Sequence, residues 1–188
     1  MTSNLRMPLS VLFASCWSKQ EVYATTSYVK QVFQDLFGVT IQEDVERLPP
    51  GEGEAINLRD PLEYHQLGGG EFRAARCYFA DSLLYYGFTA ATVKGEPEDA
   101  GGATRGNIAV LDGSVLLKRF GKGNAYQYAF TMGHELGHVL GLHHHDPPFT
   151  GPNLMCSEAT HGKRPCWHVT PEQVERVRKY GQKSELLL

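Results

Sequence analysis

No apolar stretch of this chain is long enough to cross a bilayer, so a membrane-spanning helix is not expected. No run of lysine and arginine occurs either, which argues against nucleic acid as a partner. Cysteine is sparse: Cys16, Cys77, Cys156 and Cys166, with no C-x-x-C pair, so a thiolate zinc knuckle is not expected. Cys156 and Cys166 could close a short loop by a disulfide, or both could be ordinary thiols. The redox compartment decides between the two. Internal repeats and low-complexity tracts are absent.

What is present suits one compact unit with a real core. The chain has 188 residues, 41% hydrophobic and 21% charged, with a formal charge of −3. The segment Met7 to Cys16 (MPLSVLFASC) follows one basic residue, Arg6, and could be a short secretory signal. Its end, Phe13-Ala14-Ser15-Cys16, resembles a lipoprotein cleavage box. The apolar run Val11-Leu12-Phe13 is short against the ~7–15 residues of a signal core, so a buried first strand is the better reading. The chain is therefore expected in the cytoplasm or exported without a cleaved signal, with ordinary secretion as the alternative.

Periodicity predicts a strand over Leu9–Ser15 and a helix over Thr25–Phe37. That helix carries its apolar residues at Tyr28, Val29, Val32, Phe33, Leu36 and Phe37 and stops at Gly38. A second strand begins at Val39-Thr40-Ile41, and a short one is read at Ala55–Leu58. Arg59–Leu67 is ambiguous. A strand is expected around Arg76–Ala80, an extended segment at Gly87–Val93, and a surface loop over Gly95–Gly106. Asn107–Leu111 reads as a clean strand. A long helix follows over Ala125–Leu140, with Asn124 and Gln127 as a capping box and Gly141 as its stop. The chain is then irregular until Thr170, Pro171 and Gln173, which cap a last helix to about Tyr180, with Gly181 as its stop.

Residues 134 to 144 carry the chemistry: His-Glu-Leu-Gly-His-Val-Leu-Gly-Leu-His-His. His134 and His138 lie one helical turn apart on the same face, so both imidazoles reach one ion. Glu135 sits beside them, badly placed as a third ligand but well placed to take a proton from a metal-activated water. Gly141 permits a sharp turn after the helix, from which His144 swings back to the ion. Three neutral imidazoles with an open fourth position suit a catalytic zinc. Solvated histidines on a helix would not explain why five of the eight histidines fall between 134 and 145. Spacing selects His144 from three consecutive histidines; His143 and His145 point elsewhere on an extended segment.

The stretch His134 to His144 matches H-E-x-x-H-x-x-G-x-x-H and resembles the metzincin clan of zinc metallopeptidases. The clan's methionine turn beneath the metal has its counterpart in Asn153-Leu154-Met155, with Met155 as the methionine. The resemblance implies an α+β, zincin-like fold. A twisted mixed β-sheet and two long helices border an active-site cleft, and a small irregular C-terminal lobe ends in a helix. Residues 1–141 would form the N-terminal part and 142–188 the C-terminal part of a single catalytic domain. The resemblance further implies that Asn107–Leu111 and Gly87–Val93 flank the cleft, where an edge strand pairs with the substrate backbone. Residues 156–169 would wall the pocket for the side chain after the cleaved bond. The residue after the third histidine departs from the named subfamilies. His145 is not the Glu of astacins, Pro of serralysins, Ser of matrixins, Asp of adamalysins or Cys of archaemetzincins. No tyrosine follows Met155 closely, and Arg164-Pro165-Cys166 lies on the wrong side of the site for an inhibitory cysteine.

The expected activity is zinc-dependent endopeptidase cleavage of a peptide or protein substrate by a monomer, with His134, His138 and His144 on Zn²⁺ and Glu135 as general base. Two alternatives stand beside it. One is a thermolysin-like zinc peptidase with Glu158 or Glu172 as third ligand. The other is a non-catalytic, zinc-stabilised peptide-binding module, for which a base such as Glu135 would be superfluous.

Overall fold

The computed structural model describes residues 5–70, 74–84, 101–144, 153–156 and 166–188. Its centre is a five-stranded sheet. The strands are β1 (Leu5–Phe13), β2 (Val39–Arg47), β4 (Ala75–Ala80), β7 (Ile108–Asp112) and β6 (Gly102–Arg105), in the order β2-β1-β4-β7-β6. The first four are parallel, and β6 runs antiparallel to β7 at the edge. A separate parallel pair joins β3 (Ala55–Ile56) to β5 (Ser82–Leu83). The helices are α1 (Lys19–Phe37), α2 (Pro61–Gln66), α3 (Gly113–Phe120), α4 (Ala125–Val139) and α5 (Pro171–Lys183). The architecture is thus mixed α/β with a mostly parallel sheet. The two long helices are α1 and α4, which pack against each other.

Strand alternation explains the layers. In β1 every second residue (Leu5, Met7, Leu9, Val11, Phe13) enters the main core beneath α1 and α4. Central strands are buried on both faces. In β7, Ala109 and Leu111 face the helices, while Ile108 and Val110 join Ile56, Leu58 and Tyr78 in a second core on the other side. Each such large side chain contributes roughly 1.5–3 kcal/mol on burial. The apolar N-terminal segment is therefore a core strand, Leu5–Phe13, shifted upstream of the expected Leu9–Ser15.

Other boundaries differ for identifiable reasons. Helix α1 starts at Lys19 rather than Thr25, because Ser18 and Glu21 form a capping box that lies ahead of the apolar stripe. The ambiguous segment contains α2, started by Asp60, whose carboxylate accepts from the amides of Leu62 and Glu63. Asn124 precedes α4 but makes no side-chain cap. The box at Thr170 and Gln173 does form. Gly181 does not stop α5. A Cβ there would come to 2.5 Å from Leu187, so the glycine instead lets the C-terminal leucines fold back. Leu188 then pairs with Arg6 through two backbone hydrogen bonds of 2.9 and 2.8 Å.

The expected loop at Gly95–Gly106 is corrected in its described part, where Gly102–Arg105 is β6. Consequently Asn107–Leu111, observed as β7 at Ile108–Asp112, is an interior strand bonded on both sides and cannot offer an edge. Gly87–Val93 lies outside the described residues.

Candidate metal centre

Helix α4 carries polar chemistry into the core. It is buried almost all round, including His134 at 2% and Glu135 at 6% exposure. After Leu140 the chain turns at Gly141, with φ +82, a conformation that costs a glycine little. The amides of Gly141 and Leu142 donate to the carbonyls of His138 and Gly137, both at 2.9 Å. This closes the helix and sends His144 back over it.

Three imidazoles meet as a result. Nε2 of His134 lies 3.1 Å from Nε2 of His138 and 3.2 Å from Nε2 of His144. All three ligand atoms lie within 4.8 Å of one another. The opposite nitrogens are held by backbone. Nδ1 of His134 donates to the carbonyl of Leu154 at 2.7 Å, and Nδ1 of His138 to that of Leu142 at 2.8 Å. That choice of tautomer leaves Nε2 of His134 and His138 without a proton. Bare lone pairs facing each other at this distance repel unless a cation lies among them. Ligands on a tetrahedral zinc at ~2.0–2.1 Å stand about 3.3 Å apart. The two separations from His134 are close to that, and the third pair lies within 4.8 Å, so the three residues could hold a metal ion.

Electrostatics agree with the geometry. Burial pulls the His134 imidazole down from 6.5 to about 4, and burial followed by the proximity of His134 lowers His138. Both are neutral, ligand-competent groups at neutral pH. Burial raises the Glu135 carboxyl above the ordinary range, opposed by a hydrogen bond from Thr104 and by the nearby histidines. Thr104 Oγ1 donates to Glu135 Oε2 at 2.6 Å and lies 3.1 Å from the Glu135 carbonyl.

The fold is similar to that of a solved archaemetzincin. The crystal structure of archaemetzincin from Methanopyrus kandleri superposes with a TM-score of 0.58 and 17% identity, covering 94% of this chain and 96% of that one. No protein-family model matches the sequence, and no curated protein matches it. At such identity the likeness is one of fold.

The remaining expected site residues fall around the histidines. Met155 is fully buried, and its Sδ abuts the helix at Gly137, where an added Cβ would come within 2.7 Å. The backbone at Met155 is fixed by its amide donating to Asn153 Oδ1 at 2.9 Å. His143 is exposed, and His145 lies outside the described residues. Of the alternative carboxylate ligands, Glu158 lies outside the described residues. Glu172 is exposed and does not join the histidine group. Cys156 is a free thiol, so no disulfide closes its loop to Cys166. Of the expected pocket wall, residues 157–165 lie outside the described part. Trp167 packs edge-on against Phe130 of α4, with ring centroids 5.3 Å apart.

Thr104 is hidden in the sequence because it falls in a glycine-rich stretch with the composition of a loop. A signal was present. Gly106-Asn107 separates β6 from β7 by two residues, a hairpin signature that predicts a strand immediately before it.

Proposed function

We propose that the protein is a zinc-dependent endopeptidase of the metzincin kind. The observation that carries the reading is the convergence of three imidazoles, two of them turned by backbone carbonyls, beside one buried carboxylate. His134, His138 and His144 would hold Zn²⁺. When bound, zinc supplies Lewis acidity, acidifying a water and polarising a peptide carbonyl. Glu135 takes the proton of the attacking water and delivers it to the departing amine nitrogen. Oε1 is the oxygen that carries this proton, because Oε2 already accepts from Thr104. Leu154 and Leu142 act through their carbonyls, which keep each imidazole turned with Nε2 inward.

The metzincin assignment is supported by the sequence pattern, by the left-handed turn at Gly141 and by Met155 packed under the helix at Gly137. It is supported too by a fold neighbour that is an archaemetzincin. His145 stands where the archaemetzincin pattern has cysteine, so no subfamily is proposed. A peptide or protein substrate and a monomeric enzyme complete the reading.

The test is Glu135→Gln in zinc-loaded protein. Zinc content measured by mass spectrometry should match the parent, while casein cleavage falls by about 10²–10⁴-fold. Undiminished cleavage would sink Glu135 as base. His144→Ala should lose zinc, and a variant that kept it would exclude His144 as the third ligand.

A further inference from the structure

Strand β6 sits against Glu135 in two ways. Its Gly102 faces the carboxylate so closely that an added Cβ would lie 2.9 Å from Glu135 Cγ and 3.1 Å from Oε1. Two residues along, Thr104 donates to Oε2 at 2.6 Å, within the range of a charge-assisted O–H···O⁻ bond. Residues two apart on a strand share a face, so glycine and threonine together form a cradle for one side chain. The terminal torsion of a glutamate is otherwise broad and weakly restrained. The cradle is also rigid, because Thr104 is paired with Ala109 of the central strand β7. A base held on a fixed element keeps its productive orientation between turnovers.

We infer that Thr104 is a positioning residue for the peptidase reaction: its hydroxyl anchors Oε2 of Glu135 and so fixes Oε1 as the oxygen that handles the proton. The inference rests on the reading of Glu135 as general base. Thr104 touches neither the metal site nor the reacting atoms, and its effect passes wholly through Glu135. Gly102 leaves the space into which the anchored carboxylate fits.

The experiment compares zinc-loaded wild type, Thr104→Val, Thr104→Ser and Glu135→Gln. The probes are a quenched-fluorescence peptide library and acetohydroxamic acid, whose zinc-chelating group also needs a correctly turned glutamate as hydrogen-bond partner. Thr104→Val removes the hydroxyl at nearly constant shape. It should lower kcat about 10- to 100-fold with KM within about twofold, a part of the general-base contribution. Zinc content should not change. Acetohydroxamate should bind about tenfold more weakly, as expected for one lost hydrogen bond to a charged group. Thr104→Ser should restore both kcat and acetohydroxamate affinity. In a Glu135→Gln background, Thr104→Val should add no further loss. Wild-type kcat and hydroxamate affinity in Thr104→Val would overturn the inference. So would a Thr104→Ser variant as impaired as Thr104→Val, or a loss confined to zinc content or KM. Full cleavage by Glu135→Gln would instead overturn the base assignment itself. If no library peptide is cleaved, the hydroxamate affinities of the two Thr104 variants decide.

Discussion

Acid should weaken the metal-free protein through His134, and the magnitude follows from its environment. The folded imidazole is pulled from 6.5 to about 4 by burial, whereas the unfolded one titrates near 6.5. Between those values the unfolded chain binds a proton that the folded chain does not. Stability therefore rises with pH across this window, is complete above 6.5, and is lost as pH falls toward about 4. At pH 5 the linkage relation gives a loss of about 2 kcal/mol from this one group. His138 is lowered in the same sense, partly by His134 itself, so removing His134 reduces both contributions. Glu135 works in the opposite direction: its raised pKa favours the folded state at low pH and that benefit fades as pH rises. Its neighbours in this balance are Thr104, His138 and His144 rather than His134, so its share largely cancels between parent and variant. The perturbation is His134→Asn, whose amide still has a donor for the Leu154 carbonyl. Urea unfolding of chelator-treated protein at pH 7 and pH 5 is the assay. The parent should lose about 2 kcal/mol more than the variant over that interval. Parallel losses in the two proteins would refute the reasoning, because they would mean His134 can be charged within the folded site. Zinc at a hundred times its Kd should add about 2.7 kcal/mol at pH 7, and less at pH 5 where protons compete for the nitrogens.

Two substitutions test the floor of the site. Gly137→Ala would push a Cβ to 2.7 Å from the buried Met155 Sδ. The overpacking cost of about 1–3 kcal/mol exceeds the ~1 kcal/mol gained in helix propensity, so the melting temperature should drop by several degrees. An unchanged or higher melting temperature would show that Met155 moves aside freely. Asn153→Ala removes the acceptor for the Met155 amide and breaks the paired amides of Asn153 and Gln173, bonded at 2.8 and 3.2 Å. Two buried donors are left unpaired, at a cost of about 1–3 kcal/mol each. Equilibrium unfolding checks this, and a loss below about 0.5 kcal/mol would contradict it.

The fold was legible where one period dominated. The apolar run marked Asn107–Leu111, observed at Ile108–Asp112, and the helical stripe marked Thr25–Phe37, which lies within α1 and shares its C-terminal bound. Capping and hairpin chemistry set what periodicity missed. Ser18 and Glu21 lengthen α1 toward its N-terminus, and Asp60 makes a helix of an ambiguous stretch. Helix α3 has no separate start signal, because it follows β7 directly, with Asp112 as both the last strand residue and the helix cap. Gly181 looked like a stop because glycine is common there. Its actual constraint is a contact with Leu187, which no local pattern encodes.

The site divides along the same line. His134, Glu135, His138, Gly141 and His144 lie within one helix and its turn, so spacing alone brings them together. The groups that orient them come from elsewhere in the chain or from the backbone. The carbonyls of Leu142 and Leu154 carry no sequence signature, since every residue offers the same backbone acceptor whatever its side chain. Thr104 is distant in sequence and is brought to Glu135 only by the hairpin of β6 and β7. This matters energetically. An imidazole and a carboxylate buried in an otherwise apolar core would destabilise it unless each had a partner. Here His134, His138 and Glu135 each have one, and each partner engages the opposite atom from the one proposed to act: Nδ1 rather than Nε2 on the two imidazoles, and Oε2 rather than Oε1 on the glutamate. The residues legible in the sequence supply the imidazoles and the carboxylate, and the groups that were not legible fix how His134, His138 and Glu135 are turned.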